Sequence, residues 1–570
     1  MASEKISAGS SADLHRNGRL LTKVGALPVL VVWDGERAYA IEDRCPHLGF
    51  PLRQGTIADG LVTCHWHHAR FDLTSGCTLD PWADDAIAFD VSVDADEVWV
   101  WERPVADPAG RLAGRLRDGL EQGITLVTAK AVLGLLEIDG GVEPILRTAL
   151  DFGARYRAEG WGSGATVLVA MANVLPHLDA SDRALALVHA LAFVSRDTRG
   201  HAPRFAEPAL RDADVPLDRL AGWYRRFVET RSSDAAERVL ASAVATGDLA
   251  AVEAMQFAAV TDHVFIDEGH TLDFTNKAYE ALALVGVDRA QELLPSVVSQ
   301  TCAADRAEES SEWQHPIDLA RLVHDCEVVL PVALAHARGT FTDVAALAWT
   351  ILGDDPAAIT AAIVESIGAG ATPEQLGRAV AYAAALRLVR FHVQNDHGDW
   401  NTVHHAFTTA NALHQSLSRN PTAELLRGVV HSALRVHLDR FLNVPAARLP
   451  ESATGTLVEL AACFETQGDV DRAGSQAWGF LVGGGDRAAL IAALGHALLS
   501  EDAEFHWFQV YEAAVRQSLA WPVGSDESAL VLVGLARFLA AHTPTRRELP
   551  TVVRIASRLR RGERVFEEEG

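Results

Sequence analysis

Cysteine is scarce in this chain: six residues among 570, at positions 45, 64, 77, 302, 326 and 463. So few thiols, so unevenly placed, exclude a disulfide scaffold and point to a reduced compartment. Basic residues are also short. Fifty Lys and Arg face 76 Asp and Glu, a net charge of −26. A polyanion cannot release counterions by neutralising phosphates, which excludes nucleic acid as a partner and disfavours an anionic membrane surface. Long apolar runs are missing too. ATVLVAMANVLPHL is among the longest, and it is too short and too interrupted to cross a bilayer. The opening MASEKISAGSSADLHRNGRL lacks the apolar stretch of a secretory signal. The expectation is a cytoplasmic protein with no membrane partner.

Several catalytic signatures are absent as well. No Gly-rich dinucleotide fingerprint follows a strand, and there is neither a P-loop nor a Gly-x-Ser-x-Gly elbow. No Cys-x-x-x-x-Cys-x-x-Cys run suggests a second iron–sulfur cluster.

What is present divides the chain by texture. Between residues 19 and 101, short β-branched or aromatic segments (VLVVW, AYAIE, LVTC, RFDL, AFDVSV, EVWVW) alternate with Gly, Asp and Pro turns. ERPVADPAG then marks a linker, placed at 105–112. Beyond it, Ala, Leu, Arg and Glu recur at helical spacing, as in GRAVAYAAALRLVRFH and SALVLVGLARFLAAH. The predicted fold is multidomain: a small all-β domain over 1–104, then a large all-α region. LVHALAFVSRDTRGHAP (187–203) aligns without gaps on VVHSALRVHLDRFLNVP (429–445). Flanking segments match in the same order, which suggests an internal duplication into helical halves at 113–345 and 346–570.

The chemistry begins in CPHLGFPLRQGTIADGLVTCHWHH. Cys45-x-His47 is followed, after sixteen residues, by Cys64-x-x-His67. Two thiolates suit one iron and two imidazoles the other, the ligand set of a Rieske [2Fe–2S] centre. Zinc is the alternative, but a Cys₂His₂ finger wants a tighter repeat and a helix bearing its His pair.

RCPHLGFPLRQG and CHWHHARFDLTSG closely resemble the two cluster loops of the Rieske ferredoxin-type family, a resemblance that covers about residues 5–104. It implies that Cys45 and Cys64 bind the inner iron, and His47 and His67 the outer one. The family's cytochrome bc class carries two further loop cysteines in a disulfide. Phe50 and Trp66 stand there, so the resemblance is to the soluble ferredoxin and oxygenase type, of lower potential. His65 and His68 occupy places where the family usually has Pro and Gly; both are expected as surface groups beside the cluster. Cys77, Trp66 and Trp82 are expected to pack the cluster lobe.

A relay alone needs about a hundred residues, so the helical region should hold the destination of the electron. The α/β catalytic domain of the ring-hydroxylating oxygenases is not recognisable there. Three histidine clusters are. His263, Asp267 and His270 are spaced i, i+4, i+7 and share a face if helical; Gly269 and the β-branched neighbours leave a His-lined loop open. Glu312 and His315 form the Glu-x-x-His of bundle diiron sites, with His324 following and Pro316 suggesting a helix start. His397, His404 and Asn411 recur at i+7, with His405 on the adjacent face. Buried without partners, such groups cost several kcal/mol unless they bind metal. WQHPIDL and HHAFTTANAL resemble the questin oxidase-like helical proteins, which insert oxygen; the match is too short to carry residues over.

The expected function is a Rieske-fused, helical non-haem Fe(II) oxidoreductase. It takes electrons from a ferredoxin or NAD(P)H-dependent reductase and oxidises a small organic substrate with O2. Homo-oligomerisation is left open. The alternative is an electron-transfer or redox-sensing protein whose helices form a docking array.

Overall fold

The computed structural model describes residues 4–104, 107–211, 214–336, 338, 340–563 and 565. Two compact units divide the chain: residues 1–148 with 549–570, and residues 149–548. Of the expected linker, Val105 and Ala106 lie outside the described residues. Asp107 already caps a helix, accepting from the Gly110 N–H.

The first unit is built on nine strands: β1 (Ile6–Ser10), β2 (Arg19–Val24), β3 (Leu27–Trp33), β4 (Ala38–Glu42), β5 (Thr56–Ala58), β6 (Leu61–Thr63), β7 (Arg70–Asp72), β8 (Ala88–Val93) and β9 (Glu97–Glu102). Six form one antiparallel sheet in the order β1-β9-β8-β4-β3-β2, and β5-β6-β7 form a second. Strand β1 and helix α1 (Ser11–Asn17) precede the region read as β; β1 pairs with β9 and completes the sheet edge. The two-residue period explains the core. Along β3, Leu30 and Val32 enter one cluster with Ile41, Val62, Phe71 and both cluster-loop cysteines, Cys45 and Cys64. Val29 and Val31 enter another with Phe89, Val98 and Val100. Both faces of β3 are therefore covered, and the strand reads as an unbroken apolar run. Helices α2 (Pro108–Gln122) and α3 (Thr125–Leu136) follow.

The second unit is helical, with no strand among its described residues. Four helices concern the site: α4 (Ser163–Val174), α5 (His270–Val285), α6 (Trp400–Arg419) and α7 (Phe505–Leu519). They pack as a closed ring, α4 on α5, α5 on α6, α6 on α7 and α7 on α4. A fifth, α8 (Asp526–His542), packs against α7. The equivalence of two helical halves stays a proposal from sequence. No described helix is long and apolar enough to cross a membrane.

The expected helical face of His263, Asp267 and His270 does not form. Phe265, Asp267 and Glu268 adopt φ of 41°, 51° and 51°, and Gly269 follows at 93°. A left-handed backbone cannot sit inside a right-handed helix. The segment is a strap, and α5 starts at His270. A Cβ on Gly269 would lie 1.9 Å from Thr409 Oγ1 of α6, so only glycine lets the strap pass this close. Glu-x-x-His is not helical across its span either. Ser311–Gln314 is one turn, His315 is extended, and the next helix starts only at Leu319.

Candidate metal centres

Two loops frame the first site. Cys45 and His47 lie between β4 and β5, and Cys64 and His67 between β6 and β7. Each loop folds back on its cysteine. The Cys45 N–H donates to Phe50 O at 2.7 Å, and the Gly49 N–H to Cys45 O at 2.7 Å. In the second loop, the Cys64 N–H donates to Ala69 O at 2.8 Å, and the His68 N–H to Cys64 O at 3.0 Å. His68 closes that turn at φ 65°, which accounts for glycine being usual there: histidine adopts the left-handed region at a cost of order 1 kcal/mol. His65 bonds Thr56 at 2.7 Å and stays at the surface.

The four donors meet in two pairs. Nδ1 of His47 and Nδ1 of His67 face each other at 3.2 Å. The two thiols share a hydrogen bond, which pushes Cys45 up, with burial adding to it, and pulls Cys64 down to about 6 against the effect of burial, so that Cys64 is the more readily ionised. His47 is pulled down to about 4, by burial first and then by the charges of His67 and Lys130. A single tetrahedral ion would gather four donors around one point. Yet among the described residues the one group of three or more candidate donors lying within 4.8 Å of each other is elsewhere in the chain. Paired thiols and paired imidazoles fit a two-iron cluster.

Neighbours of the first site are partly those expected. Trp82 packs edge-on against His47, centroids 5.0 Å apart. Cys77 is exposed; Trp66, 41% exposed, packs in the cluster lobe with its ring over His67 at 4.4 Å. Phe50 and Trp66 lie 6.1 Å apart, an aromatic bridge between the loops. From α3, Lys130 donates to the Pro46 carbonyl and ties the first loop to the helix behind it, a support that no sequence pattern announced.

The second site lies where three helix starts converge in the helical unit. His270 opens α5, His506 is the second residue of α7, and His405 lies in the second turn of α6. Their nitrogens all fall within 4.8 Å of one another. Nε2 of His405 is 3.0 Å from Nε2 of His506; two ligands about 2.1 Å from one metal and at right angles lie about 3.0 Å apart. Behind the trio, Glu268 on the strap pairs with Nδ1 of His405 at 2.9 Å, the carboxylate–histidine arrangement that orients a ligand. Burial, then charge repulsion within the trio, pulls His270 down to about 4 and His506 to about 2. Both are neutral at pH 7, as ligands must be.

A polar floor lies beneath. Asp273 and Gln509, one turn beyond His270 and His506 on the same faces, are hydrogen-bonded to each other. Burial pushes Asp273 up to about 8, leaving it largely protonated at pH 7. A turn further, Lys277, fully buried, donates to Glu512 at 2.7 Å and Glu280 at 2.8 Å. Asn173 of α4 donates to both carboxylates at 2.9 Å.

Among the expected residues, His270 and His405 are thus brought together. His404 is buried beside them, its ring stacked on His506 at 4.0 Å. His397 lies before α6, against His542 at 4.6 Å. The others are engaged elsewhere. His263 is held by Glu308 at 2.7 Å and Glu229 at 2.6 Å, and Glu312 by Arg435 at 3.1 Å. The side chain of His324 is 78% exposed beside Glu327. The Asp267 N–H donates to Asp305 O at 2.8 Å, and its carboxyl is raised by burial and then by Asp305. His506, Glu268 and Asp273 were missed. For His506 and Asp273 the signal is a polar stripe in apolar helices, His270, Asp273, Lys277 and Glu280 on one and His506, Gln509, Glu512 and Arg516 on the other; Glu268 lies on the strap, outside both stripes.

The sequence profile of the Rieske [2Fe-2S] domain matches residues 4–90. Similar proteins include apoptosis-inducing factor 3 of Homo sapiens, 34% identical over 89 residues, a match covering 15% of this chain and 15% of that protein. The ferredoxin CarAc of Metapseudomonas resinovorans is 32% identical over 83 residues, 14% of this chain and 78% of the ferredoxin. The oxygenase subunit of vanillate O-demethylase from Pseudomonas is 39% identical over 83 residues, 13% of this chain and 25% of that subunit.

Proposed function

We propose, on the premise that this chain belongs to the Rieske [2Fe–2S] family through residues 4–90, that it is an oxidoreductase with a second, non-haem iron site in its helical unit. It would take electrons from a separate reductase and oxidise a small organic substrate with O2. When bound, the cluster supplies one-electron transfer, and iron at the trio supplies redox chemistry with positions open to dioxygen and substrate. Cys45, Cys64, His47 and His67 would hold the first group; His270, His405 and His506 the second. The sequence led to a ligand set of His and carboxylate; the geometry favours three imidazoles with the Glu268 carboxylate behind one of them.

The observation that carries this reading is the His trio itself. Three histidines from three helices converge within 4.8 Å, two of them held neutral by burial, and one is oriented by a carboxylate. The kinship of the first domain supports the same reading, since its relatives include a ferredoxin and an oxygenase subunit.

Protein purified anaerobically tests it. A Rieske cluster alone gives about two iron and two acid-labile sulfide per chain. An excess of about one iron over sulfide, lost when His270, His405 and His506 are replaced together, is the expected result. Equal iron and sulfide, with no other metal bound, would remove the second site.

A further inference from the structure

The structure carries one step beyond the metal itself, toward what the metal would bind. His404 is buried to 2% exposure, and neither of its ring nitrogens has a hydrogen-bond partner. A neutral imidazole has one N–H to donate and one lone pair to accept, and leaving such groups unpaired in a core costs about 1–3 kcal/mol each. This ring is not remote from the site. It stacks on His506 at 4.0 Å and meets His405 edge-on at 4.6 Å, with Phe538 of α8 on another side at 6.0 Å. Gln509, one turn below His506, also has an unpartnered buried oxygen. Unsatisfied polar atoms therefore flank the trio.

The charge balance points the same way. As ligands, three imidazoles bring no negative charge to a bound ion. The nearest carboxyl below, Asp273, is largely protonated, and Glu268 stands behind His405, its side chain 73% exposed. A divalent ion held there would keep most of its charge in a half-buried setting, which needs compensation. The starts of α5 and α7 converge on the same place, and helix N-termini favour negative charge.

We propose that the metal of the His trio takes a small anion as its exogenous ligand, and that the His404 imidazole N–H is the donor that holds it. This rests on the reading of the trio as a metal site. His404 is then a binding residue of the site rather than a fourth metal ligand. The occupant is a compact anion of the size of azide or formate, or the carboxylate of an organic acid.

The full chain, loaded with Co(II) and titrated with azide, tests the proposal by the Co(II) electron paramagnetic resonance signal. His404→Phe keeps a flat ring and removes both nitrogens; His404→Gln restores an N–H. The expected result is azide binding to the wild type that weakens at least tenfold in the Phe variant and recovers in part in the Gln variant. Co(II) affinity should stay within about threefold throughout. Unchanged azide affinity in the Phe variant, with its fold and Rieske spectrum intact, would overturn the role of His404. Loss of Co(II) from that variant would overturn it also, by making His404 a ligand. Wild-type protein that takes no Co(II) outside the cluster would instead overturn the metal site, a distinct outcome.

Discussion

The Glu268 carboxylate lies 2.9 Å from Nδ1 of His405, and this pairing decides which nitrogen of the ring faces the trio. It fixes the proton on Nδ1 and presents Nε2 as a lone pair, 3.0 Å from Nε2 of His506. The strap that delivers Glu268 has left-handed backbone at Phe265, Asp267 and Glu268, at a cost of order 1–3 kcal/mol each. A surface carboxylate alone would not need it. Glu268→Gln should lower metal affinity at the trio about 10–100-fold while leaving sulfide and the Rieske spectrum unchanged. Equal affinity in a competition titration would show that the strap serves another purpose.

Removing the ligands themselves separates the two centres. Cys64→Ser should abolish acid-labile sulfide and the visible cluster absorption, because a hydroxyl does not replace a terminal thiolate ligand of the inner iron. His506→Ala should do the converse, leaving about two iron and two sulfide and removing only the excess iron. Metal and sulfide analysis of both variants reads this directly.

The first centre was legible in sequence because its donors lie within one short segment: pairs two and three residues apart, on loops closed by their own backbone bonds. The second was half legible. His270 and His405 were singled out, but His506 stood among aromatic residues in EFHWFQVYEA, marked only by the polar residues Gln509, Glu512 and Arg516 that follow it on one helix face. Residues far apart in the chain meet there only because α5, α6 and α7 start at the same end of a helical ring, and no periodicity within a single helix encodes that. The i, i+4, i+7 spacing around His263 misled because one glycine and a run of left-handed residues turn the chain out of the helix.

His263 is accordingly a control. Its two nitrogens are occupied by Glu308 and Glu229, and these partners raise its pKa although burial opposes them. His263→Gln should leave the iron count and metal affinity unchanged. Loss of the excess iron in this variant, with the fold retained, would redraw the site around the strap.

The protonation of Asp273 gives a stability signature. Its ordinary pKa is 3.8 and burial raises it to about 8 in the folded chain. Between these values the folded state keeps a proton that the unfolded state has released. The folded state thus binds more protons, and stability must fall as pH rises from about 4 towards 8. The contribution is fully present below pH 4 and lost as pH climbs through the folded value. Asp273→Asn removes this slope, since an amide stays neutral and can still bond Gln509. The variant should therefore match the wild type near pH 4 and unfold at a higher temperature than the wild type at pH 8. Thermal unfolding followed by far-ultraviolet circular dichroism at both pH values checks it. A variant less stable than wild type at pH 8 would mean that Asp273 is held ionised by Lys277, and that the floor beneath the trio carries a negative charge after all.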